Sequence, residues 1–309
     1  MSSNIIPNTN DGSQDAPKLC VYLNLNNLED LPSDSLWSGL EGAARFARLA
    51  ADGFHGIQLA DGQAKPPACQ PLATCGSDRI NTASEAADIV ARYADQGHQC
   101  LTVHAGWGIE DDAEVWRLVE AILSASEKSA LPVYLETHRA TITQDIWRTV
   151  QLTKRYPDIR FNGDLSHYYT GQELVYGGLD MKLEFMAPIF ARIRFMHARI
   201  SSPGHIQMPV GNGTGRPLQA CGEIDYLADF KKLWTCAMAG FLKSAGPGDF
   251  LILCPELLSR RYYYARTFPD PAGVLHEESD RYAEALTYAR IATECFNAAR
   301  ALEDSRLGC

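Results

Sequence analysis

Four apolar runs in this chain end on side chains that hold cations: VYLE with Glu136, RFNGD with Asp164, IRFMH with His197 and LILCPE with Glu256. Three carboxylates and one imidazole, if brought together, form a mainly hard-oxygen donor set. Its formal charge of −3 is costly beside a low-dielectric core unless a cation neutralises it. One divalent ion is the natural neutraliser. With no thiolate in the set, Mn²⁺ is the first expectation and Mg²⁺, Co²⁺ or Zn²⁺ are the alternatives. Such an ion suits enolisation: it chelates a carbonyl and the neighbouring hydroxyl and stabilises the cis-enediolate as it forms. Taken singly, an Asp or Glu after an apolar run is most often a helix cap or a solvated loop residue. Four alike in one chain lift the metal reading above that one.

Other residues stand near these ends. His138, two positions after Glu136, fits a hydrogen-bond partner of the ligands, a substrate contact or a plain loop histidine. His104 in TVHAGWG ends another apolar run and reads equally as a pocket residue or a structural histidine; Trp107 beside it is a flat face for a sugar ring or a core tryptophan. Gln58 lies within GIQLA, and Cys254 before Pro255 reads as an inert buried thiol. The Gly- and Pro-rich stretch 201–222, with His205 in it, has the length of a lid or binding loop. The aromatic and basic SRRYYYARTFPDPAG, residues 259–273, covers a pocket or makes a subunit contact.

Positioning these groups requires a scaffold that gathers strand ends. Runs at 19–25, 56–60, 71–75, 100–106, 132–138, 159–167, 193–200 and 250–258 read as strands. Helical patterns fill 83–96, 111–127, 142–155, 225–243 and 279–302, with capping boxes expected at Thr82/Glu85 and Thr141/Gln144. Apolar runs without polar alternation imply strands buried on both faces. The expected class is α/β, a closed (β/α)8 TIM barrel over residues 18–309 as a single domain, after a flexible tail at 1–17. In that architecture the carboxyl ends of all strands surround one mouth, so residues 28, 33 and 59 positions apart converge.

At these residues the chain resembles the xylose isomerase-like superfamily of TIM barrels, on YLE with Glu136, GDLSH with Asp164 and His167, FMHARI with His197 and Arg199, and CPE with Glu256. The resemblance spans about residues 18–300. It implies that Glu136, Asp164, His197 and Glu256 bind one divalent metal and that His167 and Arg199 contact substrate oxygens. It also implies that Glu136 and Glu256 act as acid and base on the substrate. Gln58 departs from the glutamate many relatives carry there, which leaves the distal end of the substrate open. The apurinic endonuclease branch needs an added Asp-x-His pair, which ARISSPGHIQ lacks.

The formal charge of −10 and pI near 5.3 disfavour nucleic acid and anionic membranes as partners. Nine scattered cysteines without a CxxC pair fit reduced thiols and a cytoplasmic protein. The expected function is a divalent-metal-dependent sugar or polyol isomerase or epimerase working through an enediolate. The same site also serves a lyase or dehydratase acting by β-elimination, and a non-catalytic sugar-binding barrel is the third reading. The expected partner is a small sugar or polyol, with homo-oligomerisation open.

Overall fold

The structure, a computed structural model, describes residues 7–37, 39–211, 213 and 224–307. The apolar runs become eight parallel strands: β1 (Lys18–Asn24), β2 (Gly56–Ala60), β3 (Ala73–Ile80), β4 (Leu101–Ala105), β5 (Val133–Glu136), β6 (Phe161–Asn162), β7 (Ile193–Ala198) and β8 (Phe250–Pro255). Each pairs with the next, and β8 pairs back onto β1 with Lys18 opposite Phe250, closing the barrel. Every residue of β5, β7 and β8 is buried, which is why these strands lack polar alternation.

Helices pack around the strands: α1 (Gly42–Ala51), α2 (Ala86–Asp95), α3 (Asp112–Ser129), α4 (Ile146–Arg155), α5 (Ser166–Gly171), α6 (Leu179–Phe190), α7 (Tyr226–Leu242) and α8 (Arg281–Leu307). The β2–β3 connection carries no helix. Beyond β8 a small hairpin, β9 (Thr267–Pro269) with β10 (Leu275–Glu277), lies within and after the aromatic-basic segment. None of the described helices is long and apolar enough to cross a membrane.

Three expectations need correction. Residues 7–17 are not a free tail: Thr9 is buried, its Oγ1 donates to the Phe250 carbonyl and its backbone N–H to Tyr134 Oη, 3.0 Å away. Asn10 bridges to Asp249, so this segment docks at the amino ends of the strands. The third strand lies later than 71–75, because its second half, Ser77, Asp78 and Arg79, is polar and reads as loop. The run 159–167 yields only the two-residue β6 before the chain turns into α5 at Ser166.

The capping expectations hold in part. Glu85 reaches back to the Asn81 and Thr82 N–H groups, but Thr82 Oγ1 bonds Ser84 instead of completing the box. Thr141 Oγ1 donates to the His138 carbonyl, and α4 is capped by Asp145, which accepts from Arg148 N. A full box, Asp111 with Glu114, starts α3.

Candidate metal centre and active site

Glu136 is the last residue of β5, Asp164 follows β6 by two, His197 lies near the end of β7 and Glu256 follows β8. One ligand atom from each falls within 4.8 Å of the others, so the four strand ends do converge. A close approach positions Asp164: a Cβ on Gly163 would stand 2.7 Å from Ile193 Cδ1, so a larger residue there would have to displace the Ile193 side chain of β7. The ladder slips between Phe161 and Asn162, and the bend turns the Asp164 carboxylate inward. Its Oδ1 then accepts from the Ser166 N–H at 3.1 Å.

Amides hold the donors in place. Gln58 donates from Nε2 to Thr102 Oγ1 at 2.9 Å, which aims its Oε1 at Asn24 Nδ2 (2.8 Å) and His197 Nε2 (2.9 Å). An amide oxygen only accepts, so His197 Nε2 carries a proton and Nδ1 is the nitrogen offered to the cluster. Nδ1 lies 3.1 Å from Glu136 Oε2 and 3.4 Å from Glu256 Oε2. Asn162 donates to Glu136 Oε2 at 3.1 Å and accepts from the His197 backbone N–H through Oδ1. Asn24 donates to Glu256 Oε1 at 3.2 Å.

Arg199 is wholly buried among the carboxylates: Nη2 donates to Asp164 Oδ2 and, at 2.8 Å, to Glu256 Oε2. The Tyr264 ring covers its guanidinium at 4.6 Å. Burial opposes its charge, but Asp164 and Glu256 outweigh that and raise its pKa. Burial likewise opposes the charge on His197, yet Glu256 and Glu136 raise its pKa to about 9. Arg199 and a protonated His197 therefore offset two of the three carboxylates.

The glutamates diverge. Burial favours protonation of both, but the His104 and His197 imidazoles hold Glu136 well below the usual carboxylate range, whereas burial prevails at Glu256 and raises it. Two polar atoms remain unsatisfied: Glu136 Oε1, an acceptor, is buried without a hydrogen-bond partner, although His104 Nε2 stands 3.1 Å away, and Arg199 Nη1, a donor, has none. Such orphaned atoms, in a hard-oxygen donor set with one imidazole, fit a divalent cation and an oxygen-rich ligand.

Three histidines line one side. The His138 ring lies 4.4 Å from that of His104 and 3.8 Å from that of His167. Burial pushes the His138 pKa down to about 2, with His167 adding to it; burial and Arg199 push His167 down as well. Both are neutral. His104, Glu136 and His138 also bring ligand atoms within 4.8 Å. However, His138 Nδ1 accepts from Ala140 N at 3.1 Å, so Nε2 keeps the proton and His138 is a donor, not a ligand.

Trp107 is 56% exposed and stacks on Arg79 at 4.0 Å, beside the mouth and apart from the cluster. His205 lines a neighbouring cavity, and Cys254 is a buried thiol whose pKa burial raises. Within the lid-length stretch, 212 and 214–222 lie outside the described residues. Sequence reasoning missed Asn24, Asn162, Ser166 and Tyr264. Asn24 and Asn162 are polar residues at the ends of apolar runs but carry no charge to mark them, whereas Tyr264 lies in the aromatic and basic segment 259–273, whose composition marks the segment and not this one ring.

No protein-family model matches the sequence, and no curated protein matches it. Solved structures do. A xylose isomerase-like TIM barrel protein from Mycobacterium smegmatis, in complex with magnesium, aligns with a TM-score of 0.52 at 12% identity, over 91% of this chain and 97% of that one. The probable 3-DHS dehydratase AsbF from Bacillus anthracis, involved in petrobactin synthesis, aligns with a TM-score of 0.51 at 15% identity, over 79% and 94%. A D-tagatose 3-epimerase-like protein covers 91% of this chain at 10% identity, but its TM-score of 0.48 is too low to add weight. These two likenesses show the fold, a closed (β/α)8 barrel.

Proposed function

We propose that this chain is a divalent-metal-dependent enzyme that moves a proton on the carbon beside a sugar or polyol carbonyl, as an isomerase or epimerase. The observation that carries the reading is the convergence of Glu136, Asp164, His197 and Glu256 within 4.8 Å at the barrel mouth. These four residues would hold the ion, which when bound supplies the positive charge that stabilises an enediolate. Mn²⁺ is the first choice among Mn²⁺, Mg²⁺, Co²⁺ and Zn²⁺, since the donors are mainly oxygen.

The protein's own groups do the rest. Glu136, held ionised, accepts the proton from carbon, and Glu256, biased towards its protonated form, returns one. Neutral His138 and His167 donate hydrogen bonds to substrate hydroxyls without adding charge. Arg199, locked by Ser166, Asp164 and Glu256, directs Nη1 at a substrate oxygen.

A second reading, elimination of water or of a glycosidic group, is favoured by His104. Burial opposes its charge, but Glu136 raises its pKa, and its side chain is 31% exposed. An imidazolium so placed protonates a departing oxygen. Both readings are tested by NMR of ketoses, keto-polyols and 3-keto-glycosides incubated with the Mn²⁺-loaded protein in D₂O. Deuterium next to the carbonyl without loss of oxygen supports isomerisation or epimerisation; exchange with an unsaturated product supports elimination. Turnover without exchange points to a hydride shift and removes both glutamates from the proton path. No turnover of any member contradicts the enzyme reading.

A further inference from the structure

Beside the cluster, at the same end of the barrel, lies a cavity of about 600 Å³. Its walls come from the segments after β5, β7 and β8 and from α5, all at the carboxyl side of the strands. Tyr264 belongs to both sites: it lines the cavity, and its ring lies 4.6 Å from the Arg199 guanidinium and 6.5 Å from the His167 ring. A molecule with its carbonyl end at the cluster therefore has this cavity as its neighbour across one aromatic wall.

The cavity's charge runs against that of the chain. Acidic side chains outnumber basic ones 38 to 28 overall, yet Arg139, Arg260 and Arg266 line this space and no Asp or Glu does so among the described residues. Arg139 makes no ion pair among the described residues. The Arg260 guanidinium donates to the Leu275 carbonyl, a neutral partner, and Arg266 faces Glu278 at 3.5 Å. Clustered guanidiniums repel one another, and a planar fork suits a carboxylate or phosphate through paired charge-assisted bonds.

We infer that this cavity is an anion subsite, and that the substrate is an acidic sugar or polyol derivative whose carboxylate or phosphate is held by Arg139 and Arg260. The inference rests on the proposed function, since it takes the anion to be the far end of the molecule processed at the cluster. It also accounts for the Arg-Tyr-rich segment 259–266, which the reaction at the cluster leaves without a role.

The test is calorimetric titration of the full chain, with and without Mn²⁺, by three ketoses that differ only at the last carbon: D-fructose, D-fructuronate and D-fructose 6-phosphate. Wild type is compared with the Arg139→Gln/Arg260→Gln variant; both positions are exposed, and unchanged metal content and thermal unfolding verify the fold. At least one anionic ketose is expected to bind about tenfold tighter than fructose, with most of that preference lost in the variant. Which anion prevails identifies the group. Equal binding of all three, no binding by any, or a preference that survives in the variant overturns the inference. Deuterium exchange into fructose without an anion preference leaves the proposed function standing and removes the subsite. An anion preference that tracks the arginines, with no exchange in any compound, keeps the subsite and removes the proposed chemistry.

Discussion

Glu136 and Glu256 share one donor cluster, yet imidazoles hold the first ionised while burial favours the proton on the second. Groups separated in this way are suited to opposite proton-transfer roles. Glutamine keeps the shape and loses the proton, so Glu136→Gln and Glu256→Gln should each lower turnover roughly 10²–10⁴-fold even with Mn²⁺ saturating. Recovery to near-normal turnover on metal saturation would reduce that glutamate to a ligand. The four ligand candidates were legible because each closes an apolar run. Asn24 and Asn162 were not, although they hydrogen-bond Glu256 and Glu136, because an amide at a strand end announces no charge. Arg199 was expected on substrate oxygens through the family resemblance; its Nη2 lies against Asp164 and Glu256, which leaves Nη1 for such a contact.

At the scale of elements, strands buried on both faces were easy to read, and those with polar halves were not. β3 hid behind Asp78, which pairs with Arg92, and Arg79, which stacks on Trp107. The expected strand at 159–167 runs into Ser166 and His167, where α5 begins; the Gly163 bend and the Ser166–Asp164 contact stop it, and both are tertiary facts. α8 supplies a clasp no pattern announced: Glu284 accepts from Val210 N at 2.9 Å and Gly211 N at 3.2 Å, tethering the chain that follows β7. Burial raises the Glu284 pKa from 4.5 to about 7 despite those bonds. A carboxyl with a raised folded pKa contributes stability that is present below 4.5 and lost as pH rises through about 7. Denaturant unfolding should therefore show wild type losing stability across that window and Glu284→Gln losing less. Parallel slopes for the two proteins would mean the carboxyl titrates normally.

The whole molecule follows from closing eight short strands into one ring: groups far apart in sequence meet at the mouth, while the docked segment 7–17 covers the amino end. The architecture separates stability from chemistry, because the packed interior lies below the mouth. Ligand substitutions should consequently strip the ion and leave the barrel folded. The most direct test is the metal content of the purified chain after Mn²⁺ loading and dialysis, measured by plasma mass spectrometry beside Asp164→Ala and His197→Ala. The account predicts about one ion per wild-type chain and little in either folded variant. No retained ion in wild type, full occupancy in the variants, or two to three tightly held zinc ions per chain would contradict it.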